Sequence, residues 1–394
     1  MQNNIELIGL DPENFWRAME ERRNVIVADS AEELPREYAM NILAARLHPH
    51  QQYFIISQVK EHGPDAKSYV LEPDKSCGAT ECAYFSAGQY LAVYLEIGGS
   101  RLWRPYSICS GPAEALQGRC VLTVKRAKDG FASEFILANW QAGTKVVTSG
   151  PLGHFSYEPL RDAKTVVGLA GGSGITPFHS LACAIRDGVD DFDLVLLYGS
   201  RNSDDILLKE EFDAIAAQCD RVKVVHVLSD EKKAGYENGF LTAELIQRYA
   251  PAGDYSVFVC GPRAMYDFLE TELPKLGLSP RRVRHELFGE YKISGRESGY
   301  AARETNAKIV IRGEERTIKC LPGESLLSAM ERAGIAAPSQ CRSGECGYCR
   351  SRLLQGEVFV PSHVDGRRLA DFKYGGIHPC CSFPLGDTAI EVPM

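Results

Sequence analysis

Beyond Pro159 a strand-then-helix pattern recurs four times. TVVGLAGG leads to TPFHSLACAIRDG, LVLLYGS to DDILLKEEFDAIAAQ, VKVVHVLS to LTAELIQRYA, and YSVFVCGP to RAMYDFLETELPKLG. Each first member is a short, nearly continuous apolar run, as expected of a strand covered on both faces. Each second member is amphipathic. Strands alternating with helices in this order predict a parallel α/β sheet. Ligands on such sheets bind at the carboxyl ends of the strands, which here read GG, GS and CGP.

The chain ahead of this region has a different period. YFIISQVKE, KSYVLEP, QYLAVYLEIGG, RCVLTVKR and TKVVTSGPLGHF are β-rich runs separated by turn residues, which predicts a small antiparallel barrel. The boundaries drawn are 49–158 for the barrel and 159–290 for the α/β domain. Upstream, PENFWRAMEERR and ELPREYAMNILAARL bring apolar residues back at helical intervals, so 1–48 is expected to be a helical extension. The polar stretch around 291–306 has no sustained period and reads as a linker. A final domain, 307–394, begins with a hairpin from AKIVIRG and ERTIKCLPG and continues with the helix SLLSAMERAG.

Composition removes several classes of function. The net charge of −8 argues against non-specific nucleic-acid binding. RRVRH, 281–285, reads as a solvated turn before a strand. No apolar run approaches the ~20 residues a membrane span needs, and no export signal is evident, so the expected location is cytoplasmic. The thirteen cysteines are odd in number and scattered. Reduced thiols or metal ligands are expected of them rather than a disulfide framework.

Three of those cysteines stand together in CRSGECGYC: Cys341, Cys346 and Cys349. Closely spaced cysteines serve zinc, disulfides and iron–sulfur clusters alike. Zinc sites commonly pair two cysteines with a second pair or with histidines farther on. Three in one loop and a lone later ligand match the plant-type [2Fe–2S] pattern C-x4-C-x2-C…C instead. HPCCSFPLGD offers Cys380 and Cys381 as the later ligand. Gly344 and Gly347 leave room for backbone N–H groups to reach the sulfurs. Cys77 and Cys82 in KSCGATEC lack further ligands and read as loop thiols.

Five other stretches suit a nucleotide. RPYS, 104–107, combines a cation, a flat aromatic and a hydroxyl. GFASEFIL, from Gly130, starts an apolar helix with Gly-x-x-Ser, whose free N–H groups suit a pyrophosphate. GGSGITP, 171–177, places three glycines before a Thr-Pro helix start, so the backbone can approach phosphate oxygens closely. It is not the fingerprint G-x-G-x-x-G, which disfavours an ordinary Rossmann dehydrogenase. YGSR and CGPRAM end the second and fourth strands of the α/β half.

Taken in order, RPYS, GFAS, GPLGHF, GGSGITP, YGSR, CGPRAM and HELF resemble the ferredoxin–NADP reductase superfamily over about residues 50–290. SGECGYCRSRLLQGEV resembles the plant-type ferredoxin domain fused behind reductases of the phthalate dioxygenase, phenylacetyl-CoA oxygenase and hybrid-cluster protein types. The resemblance implies a β-grasp fold for the last domain. It also favours Cys380 as fourth ligand, since a proline stands four residues after that ligand in similar domains and Pro384 does so here.

The same resemblance implies roles for the other motifs. Arg104, Tyr106 and Ser107 would contact the flavin, Tyr106 by stacking on its ring, with Thr123 and Lys125 on the neighbouring strand. Gly130, Ala132 and Ser133 would hold its pyrophosphate, which favours FAD over FMN. Gly172, Ser173, Gly174 and Thr176 would take the nicotinamide dinucleotide's pyrophosphate, Ser200 and Arg201 its adenosine half, and Cys260, Gly261 and Pro262 its nicotinamide side. Glu286 and Phe288 match the acidic and aromatic positions near the flavin. Ser107, Cys260 and Glu286 would be the catalytic set.

NADH and NADPH stay open, because Arg201 suits a 2′-phosphate while Asp204, Asp205 and Asp230 would repel one. The implied activity is hydride transfer from NAD(P)H to FAD, followed by single-electron release through the cluster to a partner redox protein or oxygenase. A redox-sensing or assembly subunit that binds the same cofactors without turnover is the competing expectation.

Overall fold

The computed structural model describes residues 12–29, 38–127, 130–291, 293 and 300–393. Parts of the expected extension (1–11 and 30–37) and the middle of the expected linker (Lys292 and 294–299) lie outside the described residues. The N-terminal segment up to Arg46 is a unit by itself. It carries helices α1 (Pro12–Asp29) and α2 (Ala39–Leu47).

The second unit begins at Leu47. Its first sheet contains β1 (Gln52–Glu61), β2 (Ala66–Pro73), β3 (Tyr90–Ile97), β4 (Ser100–Ser107), β5 (Cys120–Lys125) and β6 (Lys145–Thr148), with helices α3 (Pro112–Ala115) and α4 (Phe131–Asn139). The order is β4-β3-β6-β1-β2-β5, with every pairing antiparallel. The Ile108–Leu122 bridge brings the chain leaving β4 back to β5. Alternation explains the interior. Phe54 and Ile56 of β1, Tyr69 and Leu71 of β2, and Leu122 and Val124 of β5 all point inward, where Ile136 of α4 meets them.

The second sheet holds β7 (Thr165–Gly171), β8 (Asp193–Ser200), β9 (Val222–Leu228), β10 (Glu237–Asn238), β11 (Ser256–Cys260) and β12 (Val283–Glu286). Helices α5 (Thr176–Arg186), α6 (Lys209–Gln218), α7 (Ala243–Tyr249) and α8 (Arg263–Glu272) connect them. The strands run parallel in the order β10-β9-β8-β7-β11-β12. On β7, Val166 and Ala170 pack with Phe178 and Leu181 on one face. Val167 and Leu169 pack with Ile246 and Leu269 on the other. Burial on both faces is the reason this strand reads as an unbroken apolar run. RRVRH resolves as a short turn, Pro280–Arg282, followed by β12.

The third sheet is built from β13 (Thr305–Ile311), β14 (Glu314–Cys320), α9 (Leu326–Arg332), β15 (Ser351–Gln355), β16 (Val358–Phe359), α10 (Leu369–Tyr374), β17 (Gly376–Ile377), β18 (Phe383–Pro384) and β19 (Thr388–Glu391). Its order is β14-β13-β19-β15-β17, with β16 and β18 paired separately. The expected β13–β14 hairpin is present over its whole length. Leu326, Leu327 and Met330 of α9 meet Ile309 and Ile390 of the sheet in its core. Glu290, the last residue of the α/β domain as drawn, and Tyr300 of the expected linker lie against this domain: Glu290 accepts from Ser328 Oγ at 2.9 Å, and Tyr300 Oη accepts from Gly323 N at 3.0 Å.

Candidate functional site

The strand order of the α/β sheet reverses between β7 and β11, so the crevice for a ligand opens at their carboxyl ends. There the two expected turns meet. A Cβ on Gly174 would lie 2.2 Å from the Cys260 carbonyl oxygen and 2.6 Å from Gly261 N. Gly172 takes a left-handed φ of +53°. The turn is followed by α5, whose start has no side-chain cap. Its first N–H groups, together with the tight glycine backbone, fit a dinucleotide's pyrophosphate. Thr176 Oγ1 donates to Ser173 O at 3.1 Å. Ser200 ends β8 and Arg201 follows it, exposed, at the same edge of the sheet.

Gly174→Ala is expected to cost about 1–3 kcal/mol of stability as the turn backs away from Cys260. The same variant should show a raised KM for NAD(P)H, read from the rate at which flavin absorbance bleaches.

The register Cys260↔Glu286 between β11 and β12 brings Cys260 beside Glu286. Ser107, at the end of β4, donates to Glu286 Oε2 at 3.2 Å. The three expected catalytic residues therefore converge from three strands. Burial holds Cys260 as a thiol, well above the ordinary thiol range. Glu286 is pushed by burial from the ordinary 4.5 up to about 8. It is a neutral acid near neutral pH, able both to accept from Ser107 and to donate.

The unfolded chain gives up this proton near 4.5 and the folded chain near 8, both values bracketing one window. Folding is favoured by the retained proton below that window, and the gain is lost as pH rises through it. Glu286→Gln should flatten the pH dependence of the unfolding free energy between about pH 5 and about pH 8, measured by urea titration.

Near this acid two aromatic rings meet, and the other expected flavin contacts lie on the barrel and on α4. Phe288 packs edge-on to Tyr90 with ring centroids 4.9 Å apart. Gly153 is held against the Tyr90 ring, where a Cβ would come within 2.8 Å. Tyr106 is half-buried against the barrel core. Thr123 is buried and shares a 2.8 Å hydrogen bond with Ser68, while Lys125 ends the same strand half-buried. Gly130 stands at the N-cap of α4, and no side chain caps that helix. Ala132 and Ser133 are buried, and Ser133 Oγ accepts from Ala127 N at 3.1 Å. The uncapped N–H groups of α4 fit a flavin pyrophosphate. Tyr90 was not legible as a site residue: it opens QYLAVYLEIGG with no motif around it.

The cysteine loop lies next to these residues. Tyr90 Oη donates to Gln340 Oε1 at 3.4 Å, and Gly289 N donates to Cys341 O at 3.1 Å. Within the loop Ser343 N and Cys346 N both point at Cys341 Sγ at 3.4 Å, and Tyr348 N points at Cys346 Sγ at 3.5 Å. Cys349 Sγ and Cys380 Sγ are 3.5 Å apart. Cys381 Sγ turns instead to His378 O.

Among the described residues no three His, Cys, Asp or Glu side chains gather round one point as a single-ion centre needs. Cys349 Sγ and Cys380 Sγ lie together, and the Cys346 backbone is turned toward Cys341 Sγ, so these four thiols would be the ones to hold the two irons of a cluster. That donor set and its backbone N–H partners fit a [2Fe–2S] cluster. The N–H groups that reach sulfur come from Ser343, Cys346 and Tyr348. Gly344, with φ +89°, instead lets the loop lie against Val364, whose carbonyl oxygen a Cβ would meet at 2.1 Å.

Arg104 also reaches out of the barrel to the last domain. Its Nη1 bonds Glu331 of α9 at 3.2 and 3.3 Å, and its Nη2 lies 4.0 Å from Glu290. Arg342, from the cysteine loop, bonds the same Glu331 at 2.6 and 2.9 Å and pairs with Glu290. Two cations and two carboxylates thus join the barrel, the end of the α/β domain and the cysteine domain. Arg342 holds this position with a left-handed φ of +63° and its side chain almost wholly buried.

Three family profiles match the chain: an oxidoreductase FAD-binding domain over 55–157, an oxidoreductase NAD-binding domain over 169–271, and a 2Fe-2S iron-sulfur cluster binding domain over 309–385. The ferredoxin reductase component of 3-ketosteroid-9-alpha-monooxygenase from Mycobacterium tuberculosis is 31% identical over 318 residues, 78% of this chain and 85% of that protein. The glycine betaine monooxygenase reductase subunit of Pseudomonas aeruginosa is 29% identical over 325 residues, 78% and 87% of the two chains. Among solved structures, phthalate dioxygenase reductase superposes with a TM-score of 0.64 at 25% identity, covering 87% of this chain and 98% of that one. That protein is described as a modular structure for electron transfer from pyridine nucleotides to [2Fe–2S]. With FAD-, NAD- and cluster-binding domains in that order, the chain belongs to the oxygenase-reductase family of ferredoxin–NADP reductase type, NAD(P)H-dependent electron-transfer oxidoreductases carrying FAD and a [2Fe–2S] cluster.

Proposed function

We propose that this chain is the reductase component of an oxygenase system, delivering electrons one at a time from NAD(P)H to an oxygenase partner. One observation carries the reading: the start of the cysteine loop touches the residues that surround the flavin site, through Tyr90–Gln340 and Gly289–Cys341. The similarity to reductase subunits of monooxygenases supports the choice of partner.

When bound, FAD accepts a hydride and passes electrons singly, and the cluster carries one at a time. The chain's own residues bind and orient. The Gly172–Thr176 turn packs against Cys260 and Gly261, and together they would hold the nicotinamide dinucleotide with its ring toward the Ser107–Glu286 pair. Glu286 holds a proton on its carboxyl near neutral pH, and Ser107 fixes the orientation of that carboxyl. Phe288 and Tyr90, packed edge-on, would help to keep water from the reacting rings. Cys341, Cys346, Cys349 and Cys380 are assigned as the cluster ligands.

No helix among the described residues is long and apolar enough to cross a membrane. The cysteines outside the cluster loop, including exposed Cys77, are free thiols, which suits a reducing compartment such as the cytoplasm.

Anaerobic rapid mixing with NADH or NADPH tests the reading. Flavin bleaching followed by cluster reduction is expected with one of the two nucleotides. Failure of both nucleotides to bleach the flavin would favour a cofactor-binding sensor instead.

A further inference from the structure

The cysteine loop has two ends with different neighbours. Its leading end, Gln340 and Cys341, meets the flavin side. Its trailing end leads from Cys349 into Arg350, whose Nη1 bonds Asp371 of α10 at 3.2 Å. Asp371 is buried, and the other five residues of that six-residue helix are exposed. Among them Leu369 is 90% exposed, Tyr374 68% and Phe372 57%. Three large apolar side chains held outward on one rigid turn are more than the scattered exposure of an ordinary surface.

The charges around them are of one prevailing sign. Arg350, Arg352, Arg368 and Lys373 stand against two carboxylates, Asp371 and Glu391. Arg367 stacks over Phe372 at 4.3 Å, its charge matched by Asp365. A groove of roughly 590 Å³ runs beside the helix between Tyr374, Arg350, Arg352 and Pro393. This net positive, partly apolar surface belongs to a chain whose overall charge is −8.

We propose that the exposed face of α10 with its flanking cations is the surface on which the electron acceptor docks, and that the acceptor is a protein presenting an apolar patch rimmed by carboxylates. The inference rests on the reductase reading above and adds to it the exit side of the cluster. Apolar side chains at the centre of such a contact supply affinity, and the surrounding charges select and steer the partner. Asp371 and Arg350 give the docking helix a direct link to the chain beside Cys349.

The probes are two haem proteins, acidic soluble cytochrome b5 and basic cytochrome c, reduced by NAD(P)H through the intact holoenzyme. The variants are F372A/K373E and, independently, L369A, all at exposed positions. Ferricyanide turnover and the cluster's visible spectrum verify that flavin and cluster are intact.

For the double variant the KM for cytochrome b5 is expected to rise about tenfold or more, with L369A smaller in the same direction. Wild-type KM should also rise with salt, and cytochrome c should lose none of its rate. A KM for cytochrome b5 within about twofold of wild type in both variants overturns the proposal. So does a variant that only changes self-association in sedimentation, which would assign the face to a second copy of the chain. Wild-type protein whose cluster stays oxidised in NAD(P)H would overturn the reductase reading and this surface with it. Normal cluster reduction with an unchanged KM overturns the surface alone.

Discussion

Cys380→Ser is expected to abolish delivery to acceptors that draw on the cluster while leaving flavin reduction by NAD(P)H intact. Its neighbour, Cys381→Ser, should retain both. The geometry separates the two adjacent thiols clearly. Cys380 Sγ stands 3.5 Å from Cys349 Sγ, whereas Cys381 Sγ lies against His378 O at 3.5 Å and beside Gly344. A serine at 381 can keep donating to that carbonyl, so its cost is that of a small buried change. A serine at 380 replaces one of the four proposed thiolate ligands. Iron and sulfide content, the cluster's visible bands and the electron paramagnetic resonance signal of the reduced protein are the measurements. Loss of the cluster in Cys381→Ser together with its retention in Cys380→Ser would reverse the assignment.

Which of these features the sequence could carry depends on how far apart the partners lie along the chain. Periodicity reports the local environment of a strand or helix. For that reason the barrel, the parallel sheet and the β13–β14 hairpin were legible from runs such as TVVGLAGG and AKIVIRG. Glycines that permit a close approach announce themselves in the same way, and GGSGITP and CGPRAM do meet, at Gly174 and Cys260. Cysteine spacing is also local for three of the four proposed ligands.

What the sequence concealed is long-range. Glu331 sits in SLLSAMERAG between Met330, which is core, and Arg332, and reads as a solvated helix position. Its bond to Arg104 spans 227 positions of chain, and no local pattern could signal it. Arg104 reads as a flavin contact within RPYS, and nothing in that motif signals that its Nη1 also bonds Glu331 of another domain. Tyr90 reads as one more aromatic in a strand. The stretch 291–306 reads only as a polar linker, yet Tyr300 within it and Glu290 just ahead of it are tied to the cysteine domain by side-chain contacts.

Glu331→Gln is therefore expected to uncouple the domains without touching the nucleotide chemistry. In the wild-type quartet two guanidinium groups face two carboxylates, and Glu331 accepts from both arginines. Glu331 and Arg342 are almost fully buried, so solvent can do little to replace the lost charge. Removing one partner of a buried pair costs roughly 3–5 kcal/mol, and the remaining Glu290, partly exposed, should hold the loss near the lower end. The left-handed backbone of Arg342 adds to the consequence, because a conformation costing roughly 1–2 kcal/mol persists only while its surroundings fix it. Rapid mixing should show NAD(P)H bleaching the flavin at the wild-type rate and the cluster filling more slowly, with a lowered unfolding midpoint. Salt should reproduce neither effect in the wild type, since a buried network is poorly screened. Unchanged cluster reduction together with unchanged stability would mean that Arg104 and Arg342 do not depend on this carboxylate, and that the domains are held together elsewhere.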